Sequence, residues 1–116
     1  MRILGLTGSI GMGKSTAASM LRRLGVPVFD SDAAVHRLLA KAGAAVPKIR
    51  EAFPDVVKDG AVDRQALGAR VFADPAALTR LEAIVHPLVR REERRFLRAA
   101  ARRRAPLVVL DIQILF

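Results

Sequence analysis

Cysteine, tryptophan and tyrosine are absent from this sequence, and its aromatic residues are five phenylalanines, 4 % of the chain. Without cysteine, neither a disulfide nor a thiolate metal site can form. The histidines and acidic residues show no cluster with metal-ligand spacing. Proteins that bind single-stranded nucleic acid usually stack bases on several aromatic side chains, so the scarcity of aromatics argues against that function.

Long apolar runs are lacking as well. No run approaches the ~20 residues that a membrane-spanning helix needs. The apolar start of the chain is too short, and too soon broken by glycine, to be a signal peptide. These absences favour a cytoplasmic protein. Apolar residues nevertheless make up 52 % of the 116 residues, which is enough for one domain with a modest core.

Acidic residues are few, with eleven against twenty lysines and arginines, and the net charge is +9. Much of the excess lies in residues 87–104, where eight arginines stand against Glu92 and Glu93 and leave +6. A basic excess suits partners that carry phosphate, either nucleotides or nucleic acid. A solvated helix face is the simpler interpretation of this segment, so nucleic acid is not expected as a partner.

The order of the predicted elements indicates an α/β fold with a parallel sheet. Apolar runs predict strands over residues 2–7, 26–29 and 107–112, the first and third of them buried. Helical spacing predicts a helix over 14–24 and then a broken helical block, with Ser31, Asp63 and Asp74 as caps of helices that run to 42, to 73 and from 75 onward, and a short helix over 46–53. Asp59-Gly60 predicts a turn, and His86-Pro87 predicts an interruption or kink before a basic helix over 88–104.

The segment between the first strand and the first helix is GSIGMGKST, which matches G-x-x-x-x-G-K-[ST] at every fixed position. Glycines let the backbone turn so that successive N–H groups point inward, and the helix that follows favours an anion at its N-terminus. Lys14 is placed to reach the β- and γ-phosphates, Ser15 to ligate Mg²⁺, and Thr16 to reach a phosphate nearer the ribose. The motif predicts a site for the phosphates of a nucleoside triphosphate, formed by Gly8, Ser9, Gly11, Met12, Gly13, Lys14, Ser15 and Thr16.

Acidic residues follow the other two strands. Asp30 and Asp32 lie after the second strand, at the edge of a parallel sheet where ligands gather. A kinase needs one carboxylate to orient the acceptor hydroxyl and take its proton, although either aspartate can instead cap a helix. Asp111 closes the third strand, either as a partner of Mg²⁺ through a bound water or as a turn residue. His36 shares a helix face with Asp32 and either contacts substrate, steadies that carboxylate or is structural.

Five segments in this order resemble the dephospho-CoA kinase family of P-loop kinases: GLTGSIGMGKST, VPVFDSDAAVH, DGAVDRQALGARVFAD, LEAIVHPLV and LDIQILF. The resemblance implies ATP-dependent phosphorylation, with Mg²⁺, of the ribose 3′-hydroxyl of dephospho-coenzyme A, the last step of coenzyme A biosynthesis. It implies that Asp32 is the catalytic base, that Lys14 serves catalysis from the phosphate loop, and that Asp32, His36 and Asp111 face the substrate. Gln113 departs from the pattern, since the family usually has proline there.

The resemblance also implies a domain organisation. Residues 1–32 and 106–116 would form the nucleotide-binding core, and residues 33–105 the helical block on the coenzyme A side. The family's sheet order is 2-3-1-4-5, so this chain would supply strands 2, 3 and 1 and lack strands 4 and 5 together with the lid. The first strand would then be an edge with bare apolar residues. We therefore expect a marginally stable chain that aggregates, swaps domains or pairs with another copy through residues 3–6.

Other functions stay open at this point. A chain without the lid can be a nucleotide-binding module with weak or no turnover. Adenylate and nucleoside kinases share the phosphate loop, although the DSD…H segment argues against them. A nucleic-acid-binding protein that uses the arginine-rich helix would show an affinity with a steep salt dependence that survives Lys14→Ala.

Overall fold

The computed structural model describes residues 1–6 and 12–112, with residues 12–15 described by their backbone alone. The strands are β1 (Arg2–Leu6), β2 (Val28–Asp30), β3 (Val57–Lys58), β4 (Ala61–Val62) and β5 (Leu107–Asp111). The helices are α1 (Met12–Arg23), α2 (Ser31–Leu39), α3 (Val46–Ala52), α4 (Arg64–Phe72) and α5 (Pro75–Arg102), with a 3₁₀ turn at Pro54–Val56. Within the described residues, no helix combines the length and the apolar character that crossing a membrane requires.

Strands from distant parts of the chain form a three-stranded parallel sheet in the order β1-β5-β2. The predicted α/β class is confirmed, and so is the predicted neighbour order of its strands. The central strand β5 is apolar on both faces, with Val108 and Val109 fully buried. A parallel strand that helices cover on both sides needs such a continuous apolar run.

The first strand differs from its prediction. Arg2 to Gly5 are exposed, with Ile3 53 % and Leu4 43 % accessible, so the prediction of a buried strand is wrong. In the part of the chain that the structure describes, β1 pairs with β5 alone and is an edge of the sheet with exposed apolar residues, which confirms what the family resemblance implied for this strand. An apolar run therefore marked a strand correctly, but its burial depends on neighbours that the run itself does not contain.

Local hydrogen bonds explain where α2 begins and ends. The Asp30 carboxylate accepts from the backbone N–H groups of Asp32 at 2.9 Å and Ala33 at 3.2 Å, which is the geometry of an N-cap. The prediction that Ser31 caps this helix is wrong, since Ser31 is its first residue. The helix ends at Leu39 rather than near residue 42, because the chain turns back there. A Cβ at Gly43 would lie 2.2 Å from the carbonyl oxygen of Leu38, so only glycine fits this return.

The middle of the chain contains a hairpin that the sequence did not predict. The strands β3 and β4 pair antiparallel, and each is two residues long, too short to show an alternating pattern. The turn between them was predicted, and Asp59 and Gly60 both have positive φ, 53° and 79°, as a tight hairpin turn requires. The predicted caps are also confirmed: Asp63 accepts from Ala66 N–H at 3.2 Å, and Asp74 accepts from Ala77 N–H at 3.1 Å.

Helix α5 runs through Pro87 without a break, so the predicted interruption at His86-Pro87 is wrong, and the alternative, a kink, stays a prediction. A proline inside a helix removes one backbone hydrogen bond and costs about 3 kcal/mol. The helix continues because its apolar residues are buried on both sides of the proline, Leu81 and Val85 before it and Ala100 after it. Tertiary packing of a 28-residue helix therefore overrides a local signal for a boundary.

The chain divides into two compact units. One comprises Met1–Ala33 and Arg91–Phe116 and includes the sheet, with the Phe29 ring packed on Phe96 at a centroid distance of 5.6 Å. The other comprises Ala34–Arg90, with Ile49 and Phe53 fully buried. The chain leaves the second unit between residues 90 and 91, inside α5. The sequence-based domain boundary was placed between residues 105 and 106. The nucleotide and substrate roles of the two parts stay a prediction.

Candidate functional site

The described strand ends meet at one edge of the sheet. Register pairs Leu6 with Asp111, and Asp111 with Asp30, so the last residues of β1, β5 and β2 stand side by side. Neighbouring strands lie about 4.8 Å apart, which brings the two aspartates onto adjacent positions. The backbone N–H of Ile112 also donates to the carbonyl oxygen of Leu6 at 3.0 Å. This pairing holds the end of β5 next to the last strand residue before the glycine-rich motif.

The glycine-rich motif falls largely outside the described residues. Gly8, Ser9 and Gly11 lie there, and Met12, Gly13, Lys14 and Ser15 form the first turn of α1 as backbone only. Thr16 follows in the same helix and is exposed. The described parts have the context that a phosphate loop requires, a strand that ends at Leu6 and a helix that begins at Met12. The phosphate and Mg²⁺ contacts of these residues stay predictions.

The two aspartates after β2 have different surroundings. Asp30 Oδ1 accepts the two cap hydrogen bonds of α2, so the capping interpretation that was open for both residues applies to Asp30. Asp32 is the second residue of the helix and is half-buried. The helix N-terminus favours a negative charge at this position. Asp32 thus stands two residues beyond the aligned strand ends, at the edge of the sheet where ligands gather.

Asp111 is 7 % exposed at the end of the central strand. A carboxylate so poorly accessible to water is costly unless a cation or hydrogen-bond donors stabilise it. Its oxygen atoms are the kind of ligand that Mg²⁺ prefers. Among the described residues, no three His, Cys, Asp or Glu side chains gather as a metal site. Mg²⁺ is usually bound through one or two carboxylates together with phosphates and water, and a Mg²⁺ site at Asp111 stays a prediction.

His36 lies in the second unit and contacts a residue that the sequence did not single out. Its Nδ1 is 2.6 Å from Nη1 of Arg64, and its Nε2 also contacts that nitrogen. A guanidinium only donates and an imidazole has at most one acceptor nitrogen, so only one of the two ring nitrogens accepts a hydrogen bond from Arg64. Arg64 is the first residue of α4, directly after the Asp63 cap. The two residues are 28 positions apart, and no local pattern links them.

The cap before Arg64 is itself electrostatically stabilised. The hydrogen bond from Ala66 N–H, with a contribution from the ammonium of Lys58, lowers the pKa of Asp63. Lys58 Nζ lies 3.5 Å from Asp63 Oδ2. The hairpin strand β3 therefore helps to hold the start of α4, and with it the backbone that carries Arg64.

Comparison with known proteins gives the family. The dephospho-CoA kinase profile matches residues 2–116 of this chain. The chain belongs to the dephospho-CoA kinase family. A dephospho-CoA kinase of Paramagnetospirillum magneticum is 71 % identical over 116 residues, which cover all of this chain and 55 % of the relative. One from Rhodospirillum rubrum is 60 % identical over 98 % of this chain and 54 % of the relative.

Solved structures show the same fold. A crystal structure of TT1252 from Thermus thermophilus matches with a TM-score of 0.79 and 45 % identity, over 99 % of this chain and 57 % of that one. A dephospho-CoA kinase from Campylobacter jejuni matches with a TM-score of 0.80 at 22 % identity, over 97 % of this chain and 59 % of that one, and supports the fold alone. The chain thus spans about half the length of the dephospho-CoA kinases that it matches.

Proposed function

We propose that this chain contributes the ATP-binding and acceptor-activating residues of a dephospho-CoA kinase. The observation that carries the proposal is the alignment of Leu6, Asp111 and Asp30 at one sheet edge, directly before a phosphate-loop motif. The reaction is transfer of the γ-phosphoryl group of ATP to the ribose 3′-hydroxyl of dephospho-coenzyme A. Its products are ADP and coenzyme A.

Each of the predicted site residues has a separate role in this reaction. The backbone N–H groups of the motif and the Lys14 ammonium hold the triphosphate and stabilise the charge on its oxygens. The Asp32 carboxylate accepts a hydrogen bond from the 3′-hydroxyl, aims its oxygen at the γ-phosphorus and takes its proton. The bond from the γ-phosphorus to the bridging oxygen breaks as the new oxygen–phosphorus bond forms. His36 contributes a contact to the acceptor.

Mg²⁺ belongs to this proposal through Ser15 and the buried Asp111. These residues would hold the ion with the β- and γ-phosphates, Asp111 through a bound water. The ion supplies positive charge that offsets the phosphate oxygens when it is bound.

The test is a direct assay of the product. The chain is incubated with Mg-ATP and dephospho-coenzyme A, and coenzyme A is detected by mass. Asp32→Asn keeps the shape of the side chain but removes the proton acceptor, and we expect a loss of about 10²–10⁴ in rate, the usual contribution of a general base. Asp59→Asn is the matched control, because it makes the same chemical change in the exposed β3–β4 turn, where asparagine tolerates the positive φ. Measurable coenzyme A formation at equal rates in the two variants would remove Asp32 from this role.

A second candidate is a nucleotide-binding unit without turnover. The chain spans 54–55 % of the length of the two relatives named above, and this candidate is tested beside the first. It predicts that the chain binds a fluorescent ATP analogue, that Lys14→Ala abolishes this binding, and that no coenzyme A forms.

A further inference from the structure

The last half of α5 carries a row of arginines on one face. Counted from Arg91, four further arginines follow at three, four, seven and eleven positions: Arg94, Arg95, Arg98 and Arg102. These spacings place side chains on the same side of a helix. All of these arginines are exposed. The row is about 16 Å long at 1.5 Å per residue, and the exposed Arg103 and Arg104 follow it in the turn after the helix. We call these residues the arginine face.

The arginine face is uncompensated within its own helix. Arg91 and Arg95, Arg94 and Arg98, and Arg98 and Arg102 are like-charge pairs four residues apart, which destabilise a helix. The ion pairs Lys58–Asp63 and Arg70–Asp55 lie in another part of the chain and do not involve these arginines. Glu92 and Glu93 are half-buried at the border of the face. A helix face that serves only solubility normally alternates the sign of its charges, so this composition indicates an anionic partner.

The other side of the same helix is already covered. Phe96 packs on Phe29, and Ala100 is fully buried. An amphipathic helix that inserts into a membrane needs a large apolar face available for lipid, and this helix has used its apolar face in the core. The partner of the arginine face is therefore recognised by charge.

The arginine face extends away from the proposed phosphoryl-transfer site. Helix α5 leads into the first residue of β5 through four residues, 103–106, so its C-terminal end lies at the amino end of the parallel strands. The aligned aspartates lie at the opposite, carboxyl end. Phosphates bound at Arg102 to Arg104 are thus not those held by the glycine-rich motif.

The side-chain chemistry selects among anions. Every basic residue in 87–104 is arginine, whose planar guanidinium binds phosphate oxygens in pairs, and none is lysine. No aromatic side chain is interleaved with the arginines on the exposed face, which argues against a single strand with stacked bases. A nucleic-acid duplex presents regularly spaced phosphates on a rigid double helix, and a row of guanidiniums on a rigid α-helix can bind them without contacting the bases. We propose that the arginine face binds double-stranded nucleic acid through its phosphate backbone, independently of sequence.

Fluorescence anisotropy of a labelled 20-base-pair duplex of mixed sequence tests this proposal with the full chain between 50 and 200 mM salt. With about five phosphate contacts we expect a slope of log K against log salt near −4 to −5. The triple variant Arg94→Gln/Arg98→Gln/Arg102→Gln removes three contacts, so its slope falls to about −2 and its affinity at 50 mM salt falls at least about tenfold. Circular dichroism verifies that α5 is intact in the variant.

The matched control removes the same charge from another exposed surface. Lys41→Gln/Lys48→Gln/Arg50→Gln lies in and near α3, and we expect its affinity to stay within about twofold of the unmodified chain. Lys14→Ala should also retain duplex binding, which separates this surface from the nucleotide site. Equal losses in both triple variants, no binding at 50 mM salt, or binding to vesicles of anionic lipid without binding to the duplex would each overturn the proposal.

Discussion

At the scale of single residues, the aspartates of this chain show how position decides chemistry. Asp30, Asp63 and Asp74 accept backbone N–H groups at the start of α2, α4 and α5. Asp111 is buried at the end of the central strand, where a carboxylate has to be stabilised by charge or hydrogen bonds. Asp63 and Asp74 were recognisable from the sequence as caps, and Asp111 as an acid at the end of a strand, because these signals are local. Only the hydrogen bonds showed that Asp30 caps α2, and the catalytic role of Asp32 stays a prediction.

Asp63 carries a prediction about acid. The hydrogen bond from Ala66 N–H and the contact with Lys58 lower the pKa of Asp63 in the folded chain. The ionised cap therefore stabilises the fold at pH values above the pKa that Asp63 has in the unfolded chain. That contribution is lost as the pH falls below about 4, where the unfolded-state carboxyl and then the folded one take up a proton. Asp63→Asn keeps a good capping residue that does not titrate. We expect the melting temperature of the unmodified chain to exceed that of this variant at pH 7, and the difference to shrink at pH 3. A constant difference across this range would contradict the assignment.

At the scale of elements, α5 is the clearest disagreement between local signals and structure. Proline disfavours helix at the residue before it and removes an N–H donor. Buried residues on both sides of Pro87 nevertheless keep one helix from Pro75 to Arg102. The hairpin β3–β4 is the opposite case, an element that the structure has and the sequence did not predict. Its strands are two residues long, which is too short for a detectable pattern. Short elements and interior prolines are the places where packing rather than propensity decides.

The continuity of α5 leads to a stability prediction. Replacing the exposed Pro87 by alanine restores an N–H donor and improves helix propensity, and part of the gain is offset because the unfolded chain becomes more flexible. We expect Pro87→Ala to raise the free energy of unfolding by about 1–2 kcal/mol. Urea denaturation measures this value. Pro75→Ala, at the first position of the same helix, is the control, because proline is well tolerated there. A loss of stability in Pro87→Ala would mean that α5 needs its proline.

At the scale of the whole molecule, the sheet has an apolar edge. β1 exposes Ile3 and Leu4, and in the described residues it pairs only with β5. An edge of this kind is a template for pairing with another chain. Self-association through residues 3–6 stays a prediction.

A single charge at this edge tests self-association. Ile3→Lys places a charge on the exposed strand, where natural proteins use lysine to block pairing. We expect analytical ultracentrifugation to show concentration-dependent association for the unmodified chain and much less for this variant. Leu24→Lys makes the same change at a 77 % exposed leucine after α1, outside the sheet, and should leave association unchanged. A chain that is monomeric throughout would exclude the edge as an interface.

The sequence by itself determined the features whose hydrogen bonds close within a few residues. The caps Asp63 and Asp74 and the Asp59-Gly60 turn are of this kind, and the succession of strands and helices along the chain indicated the parallel α/β order. Only the tertiary structure decided that α5 passes through Pro87 and that Arg64 meets His36. These features depend on contacts between residues that are far apart in the chain, and a local pattern carries no information about its distant partner.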